Sequence, residues 1–487
     1  MLYQCEVLTV FLRKNDVILD SWVNLKDRLP LVLRGARQIG KSTAVRRLAE
    51  RSKRELVEID LERHKHLDAT FATLDVNLII DELQIVARKK ISENSLLFLD
   101  EAQGAPNSLA ALRYFYENMP HISVITAGSL LEFALEDHDF SMPVGRVEFT
   151  RMHPVTFSEY LMATSSHFEL DLLGAFFSGK RTTIPENAHS SLMKLFSEFV
   201  LVGGMPAAVA ASLKRGKVME KLEVASTIHG RLIEAFRDDF AKYKKRISPE
   251  ILRSLYDNIP TVTGNTRVKY SALASGERTE SIKRALASLI SAGLVNKIVH
   301  TSARGIPLSA GADPDVFKLL PLDVGMSSTR ALGSVRTNSL PQVLFTKWES
   351  GNPIERHWMG QLAESAVGQS LLAQTASQNS LYYWLREGKS ANAEVDYVIQ
   401  CETSLIPVEV KSGMSGSLKS LHQFVAEREL KHAVRFDLNP PSTQNICVQA
   451  LVSGGESKTA NYTLHNLPIY CSDFLFEFAS RRIASDS

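Results

Sequence analysis

The hydrophobic pattern changes period three times along this chain, and each change predicts a different architecture. Short apolar runs come first, at Leu31-Val32-Leu33, Leu96 to Leu99 and Ile122 to Ile125, with Leu56-Val57-Glu58-Ile59-Asp60 reading as a further strand between the first two. Runs of that length, apolar on both sides and separated by helical segments, predict the buried strands of a parallel α/β sheet. Residues 1 to 28 carry helical periodicity and end before Pro30, and Pro143 to Phe149 predicts a further strand. From about 165 to 245 the spacing is helical, broken by composition at Gly203-Gly204-Met205-Pro206. Residues 248 to 300 then read as helix, short helix, longer amphipathic helix (Arg278 to Ala292) and strand, the cadence of a winged helix. Finally, 393 to 400 and 405 to 411 alternate polar and apolar with period two around Cys401 to Ser404, which predicts a β-hairpin.

The first strand runs straight into Gly35-Ala36-Arg37-Gln38-Ile39-Gly40-Lys41-Ser42, a G-x-x-x-x-G-K-S loop followed by a helix from Thr43. Two glycines let backbone N–H groups converge on one anion, and the helix N-terminus adds partial positive charge. Lys41 is placed to reach the β- and γ-phosphates of ATP, and Ser42 to ligate Mg²⁺. The run Leu96 to Leu99 ends in Asp100-Glu101, at the strand end where open α/β sheets bind ligands. Asp100 is the candidate second magnesium residue and Glu101 the group that orients or deprotonates the attacking water. After the run Ile122 to Ile125, Thr126 or Ser129 offers a hydroxyl to the γ-phosphate or the lytic water, and ordinary turn chemistry explains both equally well.

In the C-terminal hairpin, a turn centred between Glu402 and Thr403 places Asp396 opposite Glu409 and Glu394 opposite Lys411. One face then carries those four charges; the other carries Val395, Tyr397, Ile399, Val408 and Val410 as a core. Close carboxylates repel unless a cation neutralises them. Asp396 and Glu409 are therefore candidate Mg²⁺ ligands, with the Val410 carbonyl, and Lys411 the candidate for positioning a water at a phosphodiester. Upstream, Glu364 lies on a predicted helix and is a further candidate metal ligand. The competing interpretation is a salt-bridged face in which Glu394 pairs with Lys411. Arg278, Lys283 and Arg284 on the longer amphipathic helix form a weak electrostatic footprint for DNA, so packing is the favoured role there.

With 487 residues the chain is long enough for two to four domains. Its 56 basic residues against 54 acidic ones exclude a highly basic nucleic-acid coat. Four scattered cysteines without a C-x-x-C pair predict reduced thiols, and no apolar run is long enough for a membrane span. A soluble, cytoplasmic protein is expected.

The whole chain resembles a widespread prokaryotic family of ATP-binding proteins that join an AAA-type ATPase domain to a C-terminal domain related to PD-(D/E)XK nucleases. The resemblance rests on GARQIGKS (35–42), LLFLDEAQ (96–103), AGSLLEFAL (127–135), MPVGRVEF (142–149), HPVTFSEYL (153–161), GGMP (203–206), FKLLPLDVGM (317–326), GQLAES (360–365), EVDYVI (394–399) and IPVEVKSG (406–413). It implies a fold in four parts: an AAA-type P-loop sheet with its N-terminal helix over 1–160, a helical lid region over 161–247, a winged-helix-like region over 248–344 and a nuclease-like α/β domain over 345–487. It also implies that Arg146 is an arginine finger, acting in cis or across a homo-oligomer interface, and that DNA is a partner. Two functions of different class follow. One is an ATPase whose nucleotide state regulates a metal-dependent nuclease; the other is an ATP-dependent switch or scaffold with an inactive nuclease-like domain.

Overall fold

The computed structural model describes residues 11–128, 131, 145–243, 247–331, 353–375, 381–386, 393–413, 416–452 and 455–483. The chain divides into two compact units, one of Leu12–Pro154 with Ala287–Leu294, the other running from Val155 to Leu286 and from Val295 onward.

The first unit is built on five parallel strands: β1 (Leu31–Arg34), β2 (Glu55–Asp60), β3 (Ser95–Asp100), β4 (Ser123–Ala127) and β5 (Glu148–Arg151). Their spatial order is β2-β3-β4-β1-β5. β3 and β4 are buried on both faces, as their continuous apolar runs require, while the edge strand β2 alternates between buried and partly exposed positions. Helices Leu67–Ala72, Val76–Ala87 and Asn107–Asn118 pack Phe71, Leu83, Leu109 and Phe115 with Leu97 of β3 in one core. The described part of the N-terminal helix is Lys14–Val23, which is tied to the helix Lys41–Ser52 by Arg47–Asp16 (3.0 Å) and Arg51–Asp20 (2.8 Å). This sheet brings the C-terminal ends of β1 and β3 to the same edge, each followed by its charged loop.

The second unit begins with helices Phe157–Ala163, His167–Phe177, Glu186–Val202, Pro206–Leu213 and Val218–Asp239. The predicted break falls between the third and fourth, where Gly203 adopts φ +73°. Its missing side chain matters, because a Cβ there would meet the Asp323 carboxylate at 2.4 Å and the Gly325 backbone at 3.0 Å. Helices Pro249–Val262 and Tyr270–Leu273 follow, then Thr279–Ser291, whose residues from Ala287 on belong to the first unit, and the hairpin β6 (Val295–Thr301) and β7 (Ala312–Pro321).

That hairpin corrects the expected division near residue 344. β6 pairs in parallel with β8 (Tyr382–Leu385), so the wing-like hairpin is two strands of an eight-stranded sheet. The sheet continues through β9 (Glu394–Cys401), β10 (Ser404–Val410), β11 (His432–Asp437), β12 (Ser442–Leu451) and β13 (Ser457–Pro468), in the order β12-β13-β11-β10-β9-β8-β6-β7. Local periodicity predicts the strand that becomes β6 but carries no information on which edge will satisfy its unpaired N–H and C=O groups. Within the sheet, β8, β9 and β10 form an antiparallel meander, flanked in sequence by helices Pro353–Leu372 and Lys419–Arg428 and followed by β11 parallel to β10.

The β9–β10 register runs from Ser404↔Cys401 to Val408↔Tyr397, the register expected from the sequence. The clean alternation expected on β9 is interrupted, however. Trp384 pairs with Val395 and Tyr382 with Val398, so Asp396 and Tyr397 together oppose Tyr383 alone. This bulge puts Val395 and Val398 in one core with Phe424. Tyr397, expected to share that core, instead donates from Oη to the Glu364 carbonyl at 2.8 Å.

Candidate functional site

The phosphate loop has the backbone its sequence demands. Gly35 and Gly40 adopt φ +134° and +93°, and Gln38 between them is also left-handed at +68°. A Cβ on Gly35 would lie 2.5 Å from the Met152 carbonyl, so only glycine fits where β1 gives way to the loop. Lys41 is buried and donates to the Gly35 and Ala36 carbonyls at 2.9 and 2.8 Å, which folds its stem along the loop. Burial lowers the Lys41 pKa to about 8, against the opposing pull of Glu101 and Asp100. A lysine held this way gains charge when anionic oxygens enter the loop.

Ser42 opens the following helix and donates from Oγ to Asp100 Oδ2 at 2.7 Å, across 58 residues of sequence. Asp100 Oδ1 accepts the Glu101 amide at 3.0 Å. Burial raises the Asp100 pKa, helped by Glu101 and opposed by the Ser42 hydrogen bond. A hydroxyl and a carboxylate brought together on oxygen donors fit Mg²⁺. Glu101 is itself left-handed (φ +51°), and its Oε2 accepts the Gln103 amide at 2.6 Å. Gln103 was not singled out by its sequence context, although it stands inside the LLFLDEAQ motif. Gly128 keeps room for it, since a Cβ there would meet Gln103 Oε1 at 2.4 Å.

Two other expectations have different outcomes. Thr126 is fully buried and donates to the Leu99 carbonyl at 3.1 Å, so its hydroxyl joins β4 to β3. Ser129 lies outside the described residues. Arg146 is half-exposed, pairs with Glu117 at 3.2 Å and stands over the Tyr116 ring.

The second centre is charged and partly buried. Glu364, Glu394 and Asp396 bring carboxylate oxygens within 4.8 Å of one another. Lys318, on β7, enters this group with its side chain 3% exposed. Its ammonium lies 2.7 Å from Glu364, in contact with Glu394 and 3.9 Å from Asp396. Burial alone would lower the Lys318 pKa, but the three carboxylates hold it well above the ordinary lysine range. The alternative pairing of Glu394 with Lys411 is replaced by Glu394–Lys318 and Lys411–Glu409. Burial and the facing Glu409 push the Asp396 carboxyl well up, and burial likewise raises Glu409. Asp396 Oδ2 accepts the Val410 amide at 2.7 Å. Glu409 is 5% exposed, and its Oε2 is buried without a hydrogen-bond partner.

Lys318 could not be found from spacing, because it reaches the cluster only through the sheet that joins β7 to β9. The amphipathic helix Thr279–Ser291 resolves more simply. Lys283 pairs with Asp315 at 3.2 Å and Arg284 with Glu280 at 3.6 Å, which fits packing and solvated ion pairs.

Sheet order, phosphate loop and paired acids define the first unit as an AAA-type P-loop ATPase domain. The family description "AAA domain" matches residues 27–161. Two further matches are to domains of unknown function, DUF8612 over 193–335 and DUF4143 over 359–465. No curated protein matches the chain. Among solved structures, the chain is similar to the Walker-type ATPase PABY2304 of Pyrococcus abyssi, at 14% identity and TM-score 0.43 over 66% of this chain and 96% of that one. It is also similar to the ORC2 protein of Aeropyrum pernix in ADPNP–ADP complexes, at 12% identity and TM-score 0.33 over 68% and 94%. The Thermotoga maritima RuvB Holliday junction branch migration motor matches at 15% identity and TM-score 0.25 over 59% and 90%. Among the described residues, no helix is long and apolar enough to cross a membrane.

Proposed function

We propose that this protein binds and hydrolyses ATP with Mg²⁺, and that the nucleotide state governs a metal-dependent, nuclease-like centre acting on DNA. The observation that carries the ATPase assignment is the Ser42–Asp100 hydrogen bond, which joins the phosphate loop to the acid-bearing strand at the position a magnesium ion would share. With the ion bound, Lewis-acid stabilisation of the phosphates is available. Lys41 then meets the β- and γ-phosphates, and Glu101, steadied by Gln103, orients the attacking water. Arg146, exposed beside Glu117, is accessible to a neighbouring copy as a finger on the γ-phosphate. Loss of turnover in Lys41→Ala, with binding kept but turnover slowed in Glu101→Gln, is the expected result; wild-type turnover in both variants overturns the assignment.

The nuclease reading is supported by the helix–β8–β9–β10–helix–β11 order and by the buried, unpartnered Glu409 Oε2 beside Asp396. Oxygen donors from two carboxylates suit Mg²⁺ or Mn²⁺, and Lys411 stands beside Glu409 to orient a water. The test is cleavage of plasmid and branched DNA with Mg²⁺ or Mn²⁺, with Lys411→Ala as control. Absence of cleavage by a folded wild-type protein leaves the switch or scaffold, in which the same domain binds nucleic acid or protein without cutting. Compensation of the acidic cluster by Lys318 is the observation that favours this second reading.

A further inference from the structure

The eight-stranded sheet delivers to the acidic centre a cation from outside the hairpin that supplies most of its acids. Glu394, Asp396 and Glu409 come from β9 and β10, Lys411 directly follows β10, and Glu364 comes from the helix before them; Lys318 comes from β7. The carboxylate oxygens of Glu364, Glu394 and Asp396 have the mutual spacing of a metal-ligand set. The position between Glu364 and Glu394 is already taken by the Lys318 ammonium. That ammonium also stands 5.1 Å from the Tyr383 ring centroid, and the Tyr397 hydroxyl holds the Glu364 backbone, so both sides of the pair are fixed in place.

We infer that Lys318 is a built-in counter-ion that makes the acidic centre a one-ion site, committing Glu364 and Glu394 to itself and leaving Asp396 and Glu409 to take a single divalent cation. This assignment rests on the metal reading proposed above and adds to it the identity of the ligands and the number of ions. Charge balance supports it. Four carboxylates (Glu364, Glu394, Asp396, Glu409) face two ammonium groups (Lys318, Lys411), which leaves two negative charges, the amount one divalent cation neutralises. Geometry supports it independently. Glu409 Oε2 is a buried oxygen without a hydrogen-bond partner, and it faces Asp396, the acid that Lys318 meets least closely, at 3.9 Å against 2.7 Å to Glu364. A second ion would have to displace the buried Lys318 ammonium.

The experiment counts bound Mn²⁺ by electron paramagnetic resonance titration on the full, nucleotide-free chain. Asp396→Asn defines which ion belongs to this centre and separates it from any ion at Ser42 and Asp100. The wild-type chain should show one Asp396-dependent ion. Glu364→Gln and Glu394→Gln should each keep that ion with affinity within about threefold of wild type. Lys318→Met, where circular dichroism shows it folded, should bind a second ion. Loss of the ion in Glu364→Gln or Glu394→Gln overturns the assignment alone, as does a folded Lys318→Met that still binds one. Should Lys318→Met fail to fold, the two glutamine variants decide. A wild-type chain with no Asp396-dependent ion overturns the metal reading and this inference together.

Discussion

The two charged centres of this molecule solve opposite problems. At the phosphate loop, one stretch of eight residues supplies glycines, backbone donors, a lysine and a hydroxyl, and only the acids of β3 come from elsewhere. The C-terminal centre is assembled from β7, a helix, β9 and β10, spanning Lys318 to Lys411. Its charges face one another: the Lys318 and Lys411 ammonium groups are each paired with carboxylates of the cluster. A loop that receives a polyphosphate can be specified locally, because the ligand brings the compensating charge. A partly buried cluster of like charges must find compensation inside the fold, and only tertiary structure can supply it.

Removing the lysine of each centre should separate these cases. Lys41→Ala deletes a contact to phosphate oxygens that carry the developing charge, and turnover should fall by about 10² to 10³-fold with little loss of fold. Glu101→Gln should slow hydrolysis comparably while nucleotide affinity, read by equilibrium titration, stays near wild type. If Lys41→Ala unfolds the domain instead, the loop is a structural element and the contrast disappears.

Lys318→Met should act on stability first. It leaves buried carboxylates without their partner, which typically costs about 3 to 5 kcal/mol in a buried ion network. Arg46 provides the control in the other unit: it pairs with Glu58 at 2.6 Å, but its side chain is 54% exposed. Arg46→Ala should therefore cost less than about 1 kcal/mol. Denaturant melts of the two variants read the difference directly, and equal losses would mean that the C-terminal cluster is as well screened as a surface pair.

What the sequence could show follows the same division. The central strands β3 and β4 of the first sheet are buried on both faces and announce themselves as apolar runs; the phosphate loop follows β1 within the same short segment. The β9–β10 register was legible because a two-residue turn at Glu402 and Thr403 fixes it. The bulge at Asp396 and Tyr397 was not, since it arises from pairing with β8, whose partner choice leaves no local trace. Lys318 sits in an otherwise apolar strand, Phe317 to Leu320, where a single lysine most simply reads as a residue at a sheet edge. Its role appears only once β6 docks beside β8. The pairing of β6 with β8 likewise shows why a boundary drawn between β7 and the next helix divides one sheet.

The smallest expected effect concerns protons, and it tests the claim that the phosphate loop waits for its ligand's charge. Burial holds the Lys41 pKa down at about 8, from an ordinary 10.5. The neutral form is therefore favoured in the fold more than in the unfolded chain. Above pH 8 the unfolded chain binds the extra proton, so the stability tied to Lys41 rises as pH climbs from about 8 toward 10.5. Phosphate oxygens reverse this shift, because an anion beside the ammonium favours its charged form. ATP binding should then take up a proton: little at pH 7, where Lys41 is already mostly charged, and approaching about one per site near pH 9. Calorimetry in two buffers of different ionisation enthalpy measures the uptake. Lys41→Ala, in whatever range it still binds, should show none of it. Equal uptake in that variant would assign the proton to another group and remove Lys41 from the contrast between a centre that waits for its charge and one that contains it.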